Sequence, residues 1–258
     1  MNTPIGPKTL AVIPARLGST RFPGKMIAPL CGKPVVMHAY ERALRAEGVS
    51  EAVIAVDDER IAEAVRPFDA NVVMTSPDHP SGTDRIAEVA GQRPDVDIIV
   101  NVQGDEALIE PKVIDLALEA LIADPEVPMS TVRHPVTAAS EIDNPDVVKV
   151  VCDNNGRALY FSRWPIPYIR DEAERDEAPG CHWQHVGLYV YRREFLARYV
   201  RMPQTPLERL EKLEQLRVLE NGYPIAVADT DYECVSVDTP QDLEAVRRIL
   251  EGRKGDHN

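Results

Sequence analysis

Short apolar segments without polar alternation recur along the first half of the chain, separated by segments with helical periodicity. Strands buried on both faces of a parallel sheet have this unbroken apolar pattern, because helices cover both faces. The first half is therefore predicted to form a doubly wound α/β structure. The predicted strands cover residues 10–14, 52–56, 72–75 and 98–102, and the predicted helices cover residues 35–46, 60–66 and 86–92.

The second half has a different pattern, in which four strand-like segments are joined by turn-rich stretches. We expect one domain that contains an inserted mixed or antiparallel subdomain at about residues 130–200. A frayed tail over residues 251–258 is also expected. The predicted elements are a helix over 111–123, strands over 129–133, 147–152, 158–161 and 186–191, a helix over 206–220, a strand over 225–228 and a helix over 240–250.

The composition indicates a globular protein outside the membrane. The chain has 258 residues, 44% of them hydrophobic, so it can bury a sizeable core. No apolar stretch approaches the ~20 residues of a transmembrane helix, and residues 1–9 lack the apolar region of a signal peptide. We therefore expect a soluble, cytoplasmic protein. The four cysteines lie far apart without a C-x-x-C pair, which predicts neither a zinc site nor a disulfide framework.

The net charge of −13 argues against nucleic acid as a partner, because polyanions are bound by basic surfaces. The charge is unevenly distributed. Residues 1–40 contain no Asp or Glu but five cations. This local excess of positive charge predicts that a small anion binds near the N-terminus.

The segment after the first predicted strand, residues 15–25, combines two glycines, two hydroxyl residues and three cations. Its spacing is not that of a P-loop, and the chain has no G-x-G-x-x-G motif. A solvated basic turn is the alternative, but the position after the first strand, in an acid-free segment, favours a phosphate site. Loop amides and Ser19 would donate to phosphate oxygens, while Arg16, Arg21 and Lys25 would offset the charge of a triphosphate.

Two carboxylates are candidates for a divalent metal. Asp105 follows the strand over 98–102, at the same carboxyl edge of the predicted sheet as the cationic loop, and beside Gly104. Carboxylate and phosphate oxygens suit Mg²⁺, although Asp105 could also cap an ordinary turn. Asp238 precedes a capping-box-like helix start that accounts for Thr239 and Asp242 and leaves Asp238 without a structural role.

Other polar residues allow two interpretations each. Ser81 and Thr83 precede a helix and either cap it or contact a base. Glu214 falls on the apolar face of the helix predicted over 206–220, where it either binds ligand or forms a buried ion pair with an arginine. His185 and Tyr189 lie four apart on a predicted strand and so share a face, as ligands or as packing groups.

Taken together, these motifs resemble the 3-deoxy-manno-octulosonate cytidylyltransferases, the CMP-Kdo synthetases. The resemblance covers roughly residues 10–250. The basic loop alone indicates a sugar nucleotidyltransferase, and the later motifs narrow it to the Kdo branch. The matching segments are 13–16, 19–21, 23–25, 79–83, 101–106, 158–163, 185–189, 213–217 and 237–240.

The resemblance implies a Rossmann-like three-layer nucleotidyltransferase fold with a mostly parallel central sheet. It also implies a homodimer in which CTP and Kdo react, with Mg²⁺, to give CMP-Kdo and pyrophosphate for lipopolysaccharide biosynthesis. Asp105 and Asp238 would bind the metal and act in catalysis with Arg16 and Lys25. The implied nucleotide-binding residues are Ala15, Arg16, Ser19, Thr20, Arg21, Lys25, Ser81, Gly82 and Gln103, and the implied sugar-binding residues are Arg163, His185, Tyr189, Glu214 and Gln215.

One position departs from the family pattern, because Ala107 stands where a proline is more usual. A proline would fix the backbone after Asp105, so the departure bears on the rigidity of that turn. Three rival functions stay open. They are a cytidylyltransferase for a modified ulosonate such as 8-amino-Kdo, an enzyme for another sugar such as sialic acid, and a nucleotide-binding regulatory protein without catalysis.

Overall fold

The computed structural model describes residues 6–18, 21–171 and 181–255. Its strands are β1 (Thr9–Ala15), β2 (Pro29–Leu30), β3 (Lys33–Pro34), β4 (Glu51–Val56), β5 (Val72–Met74), β6 (Ile98–Asn101), β7 (Met129–Pro135), β8 (Lys149–Cys152), β9 (Ala158–Ser162), β10 (Trp183–Arg192) and β11 (Ile225–Asp229). Its α-helices are α1 (Val35–Ala43), α2 (Glu59–Val65), α3 (Gly82–Gly91), α4 (Pro111–Ala123), α5 (Ala139–Ile142), α6 (Arg193–Tyr199), α7 (Pro206–Glu211), α8 (Leu216–Glu220) and α9 (Pro240–Gly255).

The chain divides into two compact units, of which the first comprises residues 1–115 and 234–258. Within this unit, β1 pairs in parallel with β4 and with β6, and β4 pairs in parallel with β5. All seven residues of β1 are buried. Burial on both faces explains why this strand reads as an unbroken apolar run, and each large side chain buried there contributes about 1.5–3 kcal/mol.

A smaller core cluster of the first unit lies beneath the residues that follow β6. It joins the turn after β6 to the residues before α9. Ala107 is fully buried within this cluster, so its side chain packs against the other members. The buried members are Leu30, Val35, Ala107, Leu108, Val237 and Val246.

The second unit, residues 116–233, contains a mixed set of strands. β7 pairs in parallel with β11 and antiparallel with β10, while β8 pairs antiparallel with both β10 and β9. The predicted fold class is confirmed: an α/β protein with a mostly parallel sheet plus antiparallel strands. The predicted single domain, with an insertion at about residues 130–200 that forms the dimer contacts and the sugar site, stays a prediction.

Three helix predictions were wrong in their bounds. α3 begins at Gly82 rather than at residue 86, because the Ser81 side chain accepts a hydrogen bond from the Asp84 amide (3.2 Å) and caps the helix there. α9 continues through Gly255, so the residues expected to fray up to that point are helical. The helix predicted over 206–220 is two helices, because Lys212 adopts a left-handed conformation (φ 56°) that ends α7. Among the helices of the described residues, none has the length and apolar character needed to cross a bilayer.

A buried ion pair in the second unit joins α7 to α8. Arg217 Nε donates to Glu208 Oε2 at 2.8 Å, and a second guanidinium nitrogen donates to Glu208 Oε1. Only 3% of Glu208 is exposed. Glu214 also acts on this arginine, because its charge adds to the rise in the pKa of Arg217 that Glu208 causes.

Replacing Arg217 by methionine is expected to lower the free energy of unfolding by about 3 kcal/mol, because the Glu208 carboxylate stays buried without its partner. Urea denaturation measures this change. Arg66→Met is the matched control, since its pair with Glu59 is exposed and surface pairs contribute little. Equal effects of the two substitutions would contradict the expectation.

Candidate functional site

The loop after β1 is held by its own backbone and by one carboxylate. The Gly24 amide donates to the Leu17 carbonyl at 3.3 Å, and Gly24 has φ 72°, a conformation that glycine adopts without strain. The Leu17 amide donates to Asp57 Oδ1 at 3.2 Å. These contacts position the predicted phosphate loop at the carboxyl end of β1. Ser19 and Thr20, which were predicted to bind nucleotide, lie outside the described residues.

Lys25 bridges the two carboxylates predicted to bind metal. Its Nζ lies 2.6 Å from Asp105 Oδ2 and 2.9 Å from Asp238 Oδ1. Arg21 reaches the same Asp238 oxygen at 3.1 Å. The structure therefore brings four of the predicted residues together, although Asp105 and Asp238 lie far apart in the sequence.

The Lys25 ammonium stays charged in this site. Burial acts to lower the pKa of Lys25, but Coulombic attraction and hydrogen bonds from Asp105 and Asp238 outweigh it and raise that pKa above its usual value. The carboxylates are themselves partly exposed, at 21% and 30% of their side chains. Their oxygens are thus positioned to bind a cation and remain accessible to one.

Two carboxylates suit Mg²⁺ better than they suit a metal ion whose ligands are all protein side chains. In the described part of the chain, no group of three or more His, Cys, Asp or Glu side chains is arranged to hold a metal ion. Mg²⁺ is commonly held by one or two carboxylates together with substrate phosphates and water. Asp105 and Asp238 fit that pattern.

The turn after β6 is fixed without the proline that the family pattern contains. The Glu106 amide donates to the Gln103 carbonyl (3.1 Å), and the Val237 amide donates to the Asp105 carbonyl (3.0 Å). A Cβ on Gly104 would lie 3.0 Å from the Pro14 carbonyl oxygen and 3.1 Å from the Met26 sulfur. Glycine is therefore required there by packing against the end of β1.

The predicted nucleotide residues of the first unit converge on the end of β1. Ala15 ends this strand, and a Cβ on Gly82 would lie 3.7 Å from the Pro14 side chain. Gln103 follows β6 and donates from Nε2 to Asn101 Oδ1 at 3.3 Å. Ser81 acts as the cap of α3, so the alternative in which its hydroxyl caps the helix is confirmed. Its backbone remains a candidate for contact with a base.

Asp57 and Arg85 are part of this region, and sequence reasoning missed both. Arg85, fully buried, donates from Nη2 to Asp57 Oδ2 at 3.1 Å, while Asp57 Oδ1 accepts from the phosphate loop. Burial lowers the pKa of Arg85, Asp57 opposes that shift, and the nearby charge of Arg16 adds to it. Asp57 directly follows β4, so the rule that functional residues follow strands could have found it.

Arg16 has an unused donor. Its Nη2 is buried without a hydrogen-bond partner among the described residues. A buried unsatisfied guanidinium donor costs free energy unless a ligand pairs with it. Phosphate oxygens would satisfy it, which supports the predicted role of Arg16.

In the second unit, three of the predicted sugar residues form a cluster. The rings of His185 and Tyr189 are 5.3 Å apart, so the expectation that they share a face is confirmed. Burial raises the pKa of Tyr189, and the charge of Glu214 raises it further, which places that carboxylate nearby. The Tyr199 hydroxyl donates to the Glu214 carbonyl at 2.7 Å and holds the turn between α7 and α8.

The other two predicted sugar residues have different environments. Gln215 is 3% exposed, and its Nε2 has no hydrogen-bond partner among the described residues, which leaves a buried donor for a ligand. Arg163 donates from Nε to the Glu211 carbonyl and from Nη1 to the Pro145 carbonyl, both at 2.8 Å. These contacts fix the Arg163 guanidinium against the backbone of the second unit.

His185 is expected to stay neutral from pH 5 to pH 8, because burial lowers its pKa to about 3. The unfolded imidazole takes up a proton as the pH falls below its ordinary pKa of about 6.5, whereas the folded ring does not. The contribution of His185 to stability is therefore fully present above pH 6.5 and declines as the pH falls. Imidazole ¹⁵N shifts measured across pH 5–8 should be constant for His185, and a titration near pH 6.5 would contradict this.

Comparisons with known proteins agree with one another. The family model described as Cytidylyltransferase matches residues 10–229. The 3-deoxy-manno-octulosonate cytidylyltransferase of Geobacter metallireducens is 56% identical over 246 residues, covering 93% of this chain and 96% of that protein. The protein of the same name from Trichlorobacter lovleyi is 52% identical over 250 residues, covering 94% and 99%. Among solved structures, CMP:2-keto-3-deoxy-manno-octonic acid synthetase complexed with CTP has a TM-score of 0.89 at 42% identity, covering 95% of this chain and 99% of that chain.

Proposed function

Because this chain belongs to the 3-deoxy-manno-octulosonate cytidylyltransferase family, we propose that it activates Kdo with CTP, giving CMP-Kdo and pyrophosphate for lipopolysaccharide biosynthesis. The family model and the similar proteins confirm two predictions made from the motifs, the family membership and the cytidylyltransferase activity. The observation that carries the proposal is the contact of the Lys25 ammonium with both Asp105 and Asp238 beside the basic loop. That arrangement suits a metal-bound triphosphate.

In the proposed reaction, the anomeric hydroxyl of the sugar attacks the α-phosphorus of CTP. A bond forms between the sugar oxygen and phosphorus, and the bond from phosphorus to the pyrophosphate oxygen breaks. Negative charge builds on the phosphate oxygens during this step, and Lys25, Arg16 and Arg21 would stabilise it. The hydroxyl proton is released to water, and no side chain is assigned as the general base.

We also propose that Asp105 and Asp238 hold Mg²⁺. When bound, the ion would offset phosphate charge and lower the pKa of the attacking hydroxyl. The two carboxylates supply hard oxygen ligands, and their partial exposure leaves room for phosphate and water. Lys25 would offset the repulsion between the two carboxylates and contact the triphosphate.

The sugar site is proposed for the cluster in the second unit. A neutral His185, the Tyr189 hydroxyl and the Gln215 amide are hydrogen-bonding groups that suit the hydroxyls of an ulosonate. The fixed guanidinium of Arg163 suits its carboxylate. An 8-amino sugar would fit the same groups, with the Glu214 carboxylate as a partner for its ammonium.

Pyrophosphate release tests the proposed function and separates its rivals. Purified chain with CTP and Mg²⁺ should release pyrophosphate with Kdo and not without sugar, and mass spectrometry should identify CMP-Kdo. Faster release with 8-amino-Kdo would move the assignment to the modified sugar, and release with sialic acid alone would move it to that sugar. CTP binding without release in any tube would favour a regulatory protein and overturn the proposal.

We further propose a homodimer that forms through the second unit. Several large apolar side chains of this unit are 62–80% exposed, which is the type of surface that dimers cover. They are Leu159, Trp164, Tyr168 and Leu210. Light scattering should give twice the chain mass of 28.7 kDa, and a monomer mass at micromolar concentration would contradict the proposal. The cytoplasmic location stays a prediction.

A further inference from the structure

Thr131 on β7 faces the ring of His185 on β10. Its Oγ1 lies 2.9 Å from His185 Nε2, 2.7 Å from the Leu188 carbonyl oxygen and 3.2 Å from the Val186 carbonyl oxygen. The side chain is fully buried. β10 is irregular between Val186 and Tyr189, so the Thr131 hydroxyl contacts backbone carbonyls that the irregular pairing turns toward it.

The single hydroxyl proton of Thr131 decides which nitrogen of His185 is protonated. A carbonyl oxygen only accepts, so the short contact with Leu188 requires Thr131 to donate there. The lone pairs of Oγ1 are then left to accept from His185, whose Nε2 must be the protonated nitrogen. The reverse assignment would place two acceptor oxygens 2.7 Å apart with no proton between them.

No second hydrogen bond among the described residues determines which nitrogen of the His185 ring is protonated. Among the described residues, Thr131 is the only hydrogen-bond partner of the His185 imidazole. The ring is neutral because it is buried, so one nitrogen is a donor and the other an acceptor. Phe161 packs edge-on against the ring with centroids 5.0 Å apart, and Tyr189 lies at 5.3 Å, which restrains its rotation.

We propose that Thr131 is a positioning residue for the sugar site, which fixes the Nε2-protonated form of His185 so that Nδ1 accepts a hydrogen bond from a sugar hydroxyl. The inference rests on the proposed function, because His185 is assigned to the sugar there. Thr131 itself does not contact the sugar. Its hydroxyl acts through the ring, by presenting an acceptor rather than a donor to the substrate.

Thr131→Val tests this role, since valine keeps the shape of the side chain but has no hydroxyl. The His185 Nε2 proton would lose its acceptor, so the protonated nitrogen should change or average between the two positions. The KM for Kdo should rise about 10-fold, the effect of one lost hydrogen bond, while the KM for CTP stays unchanged. Thr131→Ser, which keeps the hydroxyl, should restore the Nε2-protonated form of His185 and the wild-type KM for Kdo.

The tautomer is read from long-range ¹H–¹⁵N correlations of the labelled protein, with His185→Gln used to assign the signals. The wild-type chain should show a protonated Nε2 and an unprotonated Nδ1. Thr137→Val is the matched control, since Thr137 is exposed, and it should leave the signals and both KM values unchanged.

Three outcomes would overturn the inference. They are an Nδ1-protonated His185 in the wild-type chain, a Thr131→Val protein with unchanged tautomer and KM for Kdo, and a Thr131→Ser protein as impaired as Thr131→Val. The wild-type spectrum decides the tautomer even if Thr131→Val does not fold. Absence of Kdo-dependent pyrophosphate release by the wild-type chain would instead overturn the proposed function, and the NMR readout is independent of it.

Discussion

Replacing Asp105 by asparagine is expected to lower kcat at least ~100-fold while the fold is kept. The substitution removes one negative charge next to the Lys25 ammonium and one of the two proposed metal ligands. A unit charge pair at about 4 Å is worth about 4 kcal/mol at an effective dielectric of 20, and each 1.36 kcal/mol is a factor of ten in rate. Asparagine has the same shape, and the backbone contact from Val237 to the Asp105 carbonyl is unaffected. Pyrophosphate release at saturating CTP and Kdo measures the change.

Asp69→Asn is the matched control for this substitution. Asp69 is exposed in the same unit and has φ 52°, a left-handed conformation that asparagine also adopts. Its activity and melting temperature should equal those of the wild-type chain. An Asp105→Asn enzyme with activity near that of the control would rule out the proposed metal role of Asp105.

The second large effect is expected from Lys25→Met. This change leaves Asp105 and Asp238 facing each other without the ammonium between them and removes a positive charge proposed to contact the triphosphate. We expect turnover to fall ~100-fold or more. Without metal, the free energy of unfolding should fall by about 2 kcal/mol, less than for a wholly buried pair, because both carboxylates are partly exposed.

Mg²⁺ should partly reverse the stability loss of Lys25→Met, because a cation held by Asp105 and Asp238 would offset the repulsion that the ammonium offsets in the wild-type chain. Thermal denaturation with and without Mg²⁺ should therefore show a larger stabilisation of the variant than of the wild-type chain. Lys112→Met, at an exposed position of α4, serves as the control. A Lys25→Met protein that turns over as fast as this control would contradict the role of Lys25.

The two-residue strands β2 and β3 were not predicted from the sequence, whereas the other nine of the eleven described strands were predicted to within a few residues. Their apolar runs end where burial ends, as the seven buried residues of β1 illustrate. The position of catalytic groups followed from the same pattern, because the carboxyl edge of a parallel sheet collects the residues after each strand. That rule brought Lys25 and Asp105 to one edge before any distance was known.

Helix ends were harder to predict from apolar periodicity alone. The α3 start at Gly82 was readable from the pairing of Ser81 with Asp84, which is a capping signal rather than an apolar one. The break at Lys212 was not readable, because a lysine rarely adopts positive φ and nothing local marks it. Glu214 consequently lies in a turn, where its carbonyl accepts from Tyr199, and not on the face of a continuous helix.

The remaining site residues were not predicted because their contacts join residues that are distant in the sequence. Arg85 pairs with Asp57 across 28 positions, and Thr131 meets His185 across 54. Periodicity and spacing describe neighbours along the chain, whereas these pairs form only once the strands are assembled. A buried arginine or a strand threonine has no local signature that separates a positioning role from packing.

Asp105 and Asp238 are proposed to hold a divalent ion against the triphosphate of CTP. Mn²⁺ binding followed by electron paramagnetic resonance tests this proposal most directly, because Mn²⁺ prefers the same oxygen ligands as Mg²⁺ and its free form is detected. The wild-type chain with CTP should bind Mn²⁺, and Asp105→Asn and Asp238→Asn should each weaken this binding at least ~10-fold relative to Asp69→Asn. Equal Mn²⁺ affinity in all four proteins would contradict the proposal.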